Sequence, residues 1–219
     1  MNERDDYIKQ IIEKLPDKNE KINNKIPIIN VIKEGGMTIA QSNYITKFIK
    51  DNNIFYIGET GFNSGLGTFT FLSSGTRVTS FDIGERKNII ESSKKTIDDL
   101  FPNRHRLILG NSLETLPNYT PEHKFDMAFI DGGHNNDIPY LDAINFISHM
   151  KKGSFLFFDD FRNKPGDAIV KAVRKLISEK KAEVVEGPIY DITDTDYEIK
   201  SFSHVQKPYK RGYIMMRII

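Results

Sequence analysis

The chain has 219 residues, with 31 Lys and Arg against 30 Asp and Glu, 38% apolar residues and no cysteine. That length suits one domain with a continuous core, or one domain with a small extension. The missing cysteines exclude disulfides, thiolate metal sites and a cysteine nucleophile, and fit a reducing compartment. A formal charge of +1 argues against a protein held on nucleic acid by phosphate neutralisation, so no nucleic-acid partner is expected. The longest apolar runs, such as Phe155 to Phe158, fall far short of the ~20 residues of a membrane-spanning helix, and MNERDDYIKQ lacks an apolar signal segment. The expectation is a soluble, cytoplasmic, globular protein with no membrane partner.

Ile8, Ile11, Ile12 and Leu15 lie at helical spacing before Pro16, which predicts a short amphipathic helix over 5–15. The polar stretch 17–25 reads as an exposed loop, and IPIINVI, with its Pro27, as an extended surface segment. Gly35 and Gly36 break the chain. Thr38 and Gln41 then have the spacing of a capping box, and Tyr44, Ile45, Phe48 and Ile49 predict a helix over 38–51. From Asn53 onward the apolar runs Ile54 to Ile57, Arg77 to Phe81, Arg106 to Leu109, Phe125 to Ile130 and Ser154 to Phe158 alternate with helical stretches near 65–73, 86–101, 135–150 and 166–180. Such runs suit strands buried on both faces, and their alternation with helices predicts an α/β three-layer sandwich. Two more runs, Glu183 to Ile192 and Tyr213 to Ile219, have no helical period between them, so they pair antiparallel. This places one antiparallel strand at the side of an otherwise parallel sheet of seven strands. Residues 1–53 are read as a helical N-terminal extension and 54–219 as the main domain.

In FYIGETGFNSGLGTF, residues 55–69, an apolar strand runs into Glu59, and Gly61, Gly65 and Gly67 then fall in a loop before a helix. Ligands of open α/β sheets sit beyond the carboxyl ends of the strands, where glycines let the backbone approach them. The loop contains neither G-x-G-x-x-G nor the lysine of a phosphate-binding loop. A carboxylate at Glu59 repels a pyrophosphate and suits a cationic end such as an amino-acid ammonium. Asp82, which ends VTSFD, can accept both hydroxyls of a ribose. An amino acid joined to a nucleoside satisfies both features. Taken singly, a glycine cluster also serves packing and an acid at a strand tip also caps a helix.

Asp131 closes FDMAFI, and Asp159 and Asp160 close SFLFF. Adjacent strands lie about 4.8 Å apart, so these carboxylates can meet on one patch, where their repulsion calls for a cation. Oxygen donors favour a hard ion such as Mg²⁺. The competing reading gives one acid to the cofactor or to a helix cap and involves no metal. His134 follows two glycines at the same tip and can take a proton near neutrality, or cap the next helix. His105, His123, His149 and His204 share no spacing and are assigned no role.

Together, the ETGFNSG loop at 59–65, the strand ending at Asp82 and IDGGH at 130–134 resemble class I S-adenosylmethionine-dependent methyltransferases. Within them they resemble the subgroup with E-x-G-F-N-x-G and D-G-G-H motifs, over residues 54 to about 160. The resemblance implies a Rossmann-like methyltransferase sandwich that binds S-adenosylmethionine. By this likeness Glu59, Gly61, Phe62, Asn63, Ser64 and Gly65 form the loop against the methionine part, Asp82 holds the ribose, and Ile83 flanks the adenine. Asn111 and Ser112 lie in the turn that reads the adenine edge, Asn111 standing where the family most often has Asp. Met37 matches a segment beside the cofactor in small-molecule O-methyltransferases, and Asp131 and Gly132 join the cofactor contacts. Metal-dependent members, catechol O-methyltransferase among them, imply Asp131, Asp159 and Asp160 as ligands. The implied activity is Mg²⁺-assisted methyl transfer to a small hydroxylated acceptor, with His134 and Asp131 catalytic. A nicotinamide-dependent oxidoreductase and a non-catalytic protein of this fold are the alternatives. Residues 1–53 and the tail SFSHVQKPYKRG, with Lys207, Tyr209, Lys210 and Arg211, are the candidate cover of the pocket, the tail also reading as a solvated hairpin loop. A homodimer is compatible with this reading.

Overall fold

In a computed structural model, residues 3–22, 26–34, 37, 39–161, 166–190 and 212–219 are described. Gly35, Gly36, Thr38, His204, Lys207, Tyr209, Lys210 and Arg211 lie outside the described residues. Helix α1 (Glu3–Lys14) buries Tyr7, Ile8 and Ile11. Two short strands, β1 (Lys21–Ile22) and β2 (Ile26–Pro27), pair antiparallel and lead straight into α2 (Ile28–Glu34). The extended segment expected around Pro27 is therefore largely helical. Pro27 stands just ahead of the first turn, where a missing N–H and a fixed φ cost nothing, and Ile28, Val31 and Ile32 then bury one stripe. Helix α3 (Ile39–Asp51) buries Gln41, Ile45 and Ile49.

The regular alternation follows: β3 (Tyr56–Thr60), α4 (Leu66–Ser73), β4 (Arg77–Asp82), α5 (Lys87–Leu100), β5 (His105–Leu109), α6 (Ser112–Thr115) and β6 (Phe125–Ile130). It continues through α7 (Ile138–Ser148), β7 (Met150–Phe161), α8 (Ala168–Ser178), β8 (Ala182–Tyr190) and β9 (Gly212–Ile218). Seven strands form one sheet in the order β5-β4-β3-β6-β7-β9-β8. Neighbours are parallel except in the two pairings of β9. The sheet is thus the mostly parallel α/β sandwich expected, with one correction: β9 does not lie at the side but inside, between β7 and β8. The cause is burial, since Tyr213 to Met216 are all covered, whereas β8 leaves Val184 and Val185 about two-fifths exposed and suits an edge.

One face of the sheet is covered by α1 to α5, where Tyr7, Ile32 and Ile45 share a core with Ile57, Met127 and Phe157. The other face carries α7 and α8, packed through Phe146, Ile169 and Leu176 onto Ala128, Leu156 and Met216. The first helices therefore pack into the same core as the sheet. Among the described residues no helix is long and apolar enough to cross a membrane.

Candidate functional site

The chain reverses direction across the sheet at β3, which pairs with β4 on one side and β6 on the other. This is the switch point where open α/β sheets place their ligands. Strand β3 runs further than its apolar residues predict, because Glu59 and Thr60 stay in the ladder opposite Ser80 and Phe81. Gly61 then turns with φ of 87°, and a Cβ there would stand 2.2 Å from the Asp131 carbonyl oxygen. Only glycine permits that approach. Asn63 N–H donates to Asp82 Oδ2 at 2.9 Å and Gly84 N–H to Oδ1 at 2.8 Å, while Arg86 Nη1 reaches Asn63 Oδ1 at 2.7 Å. The loop is thereby tied to the tip of β4.

A cavity of about 410 Å³ opens beyond the carboxyl ends of β3, β4 and β6, a size suited to a nucleoside-sized ligand. Its walls include Gly61 and Asn63 from the glycine loop, Asp82 and Ile83 from the tip of β4, Asn111 and Ser112 before α6, and Asp131 and Gly132 after β6. Asn111 uses Oδ1 to cap α6 through Leu113 N–H at 3.1 Å. Ile83 is 62% exposed, an apolar surface open to a flat ligand. The remaining residues expected at the cofactor lie outside the lining and are buried. Phe62 stacks on His105 at 5.1 Å, Ser64 gives its carbonyl to the Tyr7 hydroxyl at 2.9 Å, and Gly65 packs on both Phe62 and Tyr7. Met37 and Glu59 meet beside Gly67. A second hollow, of about 240 Å³, lies at the amino ends of the strands, away from the switch point.

Glu59 is only 1% exposed. Its Oε1 accepts the hydroxyls of Ser80, at 2.5 Å, and Thr68. Burial pushes the carboxyl up to about 8; the two hydroxyls oppose this, and the charges of Asp131 and Asp82 add to it. The residue is held in a socket formed by β3, β4 and α4.

Strand β7 carries Asp159 and Asp160 to the tip beside Asp131. Asp160 has φ of 54°, and the pairing with β9 shifts register between Phe158 and Phe161. Such an irregularity re-aims side chains. Asp159 Oδ1 accepts Gln41 Nε2 at 2.7 Å and the Asp160 N–H at 2.8 Å. Asp160 Oδ2 lies 3.5 Å from His134 Nδ1, and Asp131 Oδ1 lies 3.6 Å from His134 Nε2. The ligand atoms that converge, within 4.8 Å of one another, are those of Asp131, His134 and Asp160. The three aspartates expected as ligands thus stand at one tip, with His134 between Asp131 and Asp160 and with Asp159 bonded to Gln41. The set fits a divalent ion: two carboxylates offer hard oxygen donors, and an imidazole stands at their side.

Sequence reasoning missed Asp142. It is fully buried in α7, accepts Ser112 Oγ at 2.7 Å, and is pushed up to about 6 by burial, against the pull of that hydroxyl. The signal was present: with Pro139, Ala143 and Phe146 it shares the buried stripe of α7. Ser80, Thr68 and His105 carried no signal, since each reads as an ordinary polar residue of a strand or helix.

Residues 59–161 match a protein family described as a methyltransferase domain. No curated protein matches the sequence. Among solved structures, the S-adenosylhomocysteine-bound methyltransferase of Podospora anserina is 13% identical, with a TM-score of 0.68 over 100% of this chain and 89% of that one. The O-methyltransferase TomG of Streptomyces achromogenes, involved in tomaymycin synthesis and bound to S-adenosylmethionine, is 15% identical, with a TM-score of 0.65 over 100% and 90%. An O-methyltransferase of Bacillus cereus in complex with S-adenosylhomocysteine is 15% identical, with a TM-score of 0.64 over 90% and 94%. At these identities the likeness is one of fold, and the family match sets aside the nicotinamide alternative. The segment that forms most of the cavity is thus similar to a methyltransferase domain, and the sheet order around it is the fold of these S-adenosylmethionine- and S-adenosylhomocysteine-bound methyltransferases.

Proposed function

We propose that the chain transfers a methyl group to the oxygen of a small hydroxylated acceptor, assisted by Mg²⁺. The observation that carries this reading is that Asp131 belongs both to the cavity wall and to the cluster with His134 and Asp160. Donor and acceptor sites then share one residue, and methyl transfer needs little more than their alignment. The Bacillus cereus and Streptomyces achromogenes relatives are O-methyltransferases, which supports oxygen as the receiving atom.

Bound S-adenosylmethionine supplies an activated methyl group, and a bound divalent ion supplies a Lewis acid for the acceptor oxygen. Asp131 and Asp160 are the residues that would hold the ion. Gly61, Asn63, Asp82, Ile83, Ser112 and Gly132 present the cavity to the cofactor, with Asp82 facing the ribose. His134, 40% exposed in its side chain between two carboxylates, is oriented by them to take the acceptor's proton at a ring nitrogen. Asp159 acts one step back, fastening α3 to the strand tip through Gln41.

Thermal melting with S-adenosylhomocysteine, with and without Mg²⁺, tests the reading without knowledge of the acceptor. Ligand at 100 times its Kd adds about 2.7 kcal/mol, which for a chain of this size raises Tm by roughly 5 to 10 °C. Mg²⁺ should add to that shift, and Asp131→Asn should abolish the added part. No shift with S-adenosylhomocysteine refutes the cofactor site; a Mg²⁺ effect that survives Asp131→Asn refutes the metal assignment. A response to Mn²⁺ or Co²⁺ but not Mg²⁺ would make His134 a ligand and remove it as the base.

A further inference from the structure

The glycine loop rests on a buried polar chain that crosses three strands. His105, first residue of β5, has Nε2 2.8 Å from Ser80 Oγ in β4, and Ser80 Oγ stands 2.5 Å from Glu59 Oε1 in β3. Thr68 of α4 donates its hydroxyl to the same carboxyl oxygen. Ser80 has one proton. With it given to Glu59, the imidazole must donate to Ser80, which puts the ring proton on Nε2. Nδ1 is then an acceptor, and among the described residues that buried atom has no hydrogen-bond partner. The ring face of His105 also lies on Phe62, with centroids 5.1 Å apart and planes inclined by 18°. One imidazole therefore touches the loop twice, at Glu59 through Ser80 and at Phe62 directly. The two residues between those contacts, Thr60 and Gly61, line the cavity.

We propose that His105 is a positioning residue for the cofactor: it holds the Glu59–Phe62 segment from beneath and so sets the backbone that Thr60 and Gly61 present to S-adenosylmethionine. The proposal rests on the reading of the cavity as the cofactor site. Burial, joined by the nearby charge of Lys94, brings His105 down to about 3, so the ring is neutral and keeps its single donor through the neutral range. The charged groups that face Glu59 are Asp82 of β4 and Asp131 after β6; the phenol of Tyr7 in α1 feels the charge of Glu59, and Lys94 of α5 acts on His105.

The test is calorimetric binding of S-adenosylhomocysteine to the full chain between about pH 6 and 9, the range around the Glu59 titration. His105→Phe keeps a ring on Phe62 and removes the donor. Ser80→Ala removes the relay and leaves the ring stack alone. His105→Gln returns an N–H near the place of Nε2. We expect the Phe and Ala variants to bind about tenfold more weakly, as the loss of one buried hydrogen bond beneath the loop predicts. The pH midpoint of affinity should move upward in Ser80→Ala, because the carboxylate has lost a donor, and by less in His105→Phe, where Ser80 still donates but without the imidazole behind it; the Gln variant should regain most of the affinity and the wild-type midpoint. Unchanged affinity and an unmoved pH profile in folded His105→Phe and Ser80→Ala proteins overturn the proposal. Where His105→Phe does not fold, Ser80→Ala alone decides. A wild-type protein that binds no S-adenosylhomocysteine sinks the cofactor reading and this role together, whereas indifferent variants of a binding wild type sink only the positioning role.

Discussion

Replacing Glu59 by Gln isolates the electrostatic consequence of burying an acid beneath the cofactor loop. The folded chain holds this proton up to about pH 8, against an ordinary value of 4.5 that the unfolded chain keeps. Between those limits the native state binds the extra proton, so stability falls as pH rises, by about 1.4 kcal/mol per pH unit and about 5 kcal/mol in all. That is a large share of the roughly 5–15 kcal/mol that stabilises a typical domain. Gln offers Ser80 and Thr68 the same carbonyl acceptor and does not titrate. Below pH 4.5 the two proteins should therefore be nearly equal in stability, and the variant's advantage should grow steadily to pH 8 and level off above it. Urea denaturation at constant ionic strength, in half-unit steps from about pH 4.5 to 9, measures this difference. Asp142 and His105 titrate in both proteins and cancel. A difference that does not change with pH would show that Glu59 ionises as freely in the fold as in the unfolded chain, and the reasoning would be wrong.

Asp142→Asn should behave alike over a lower window, gaining about 3 kcal/mol over wild type between pH 3.8 and about 6 and holding it at neutrality, because Asn still accepts the Ser112 hydroxyl; a flat difference in the same denaturation series contradicts it. Gly61→Ala places a Cβ 2.2 Å from the Asp131 carbonyl oxygen at a φ of 87°, so it should destabilise by about 3 kcal/mol and abolish S-adenosylhomocysteine binding. Wild-type affinity in that variant would mean that the loop does not need its close contact with β6.

Much of this architecture is legible in one dimension. Met127 to Ile130 and Phe155 to Phe158 are apolar on every residue because both faces of their strands are covered, and that leaves only a buried sheet between helices. The cavity is legible for the same kind of reason: glycine at 61, acids at 82 and 131 and glycine at 132 mark strand ends where a backbone comes close to its neighbours. The loop's underside is not, since Ser80 and His105 become partners of Glu59 only after three strands have paired in register.

What the order of residues determined by itself is the alternation of strand and helix and the chemistry available at each strand tip, since both follow from local periodicity and from which side chains can ionise. Only the tertiary structure decided how those groups are used. Pro27 became the threshold of a helix because its neighbours had a core to bury into. Strand β9 went inside the sheet because nearly all its side chains are covered, and β8 took the edge. Two adjacent aspartates, indistinguishable in sequence, were sent to different partners by one left-handed residue: Asp159 to Gln41 of α3, and Asp160 to His134. Such choices depend on contacts between residues as much as 118 positions apart, which no local pattern can encode.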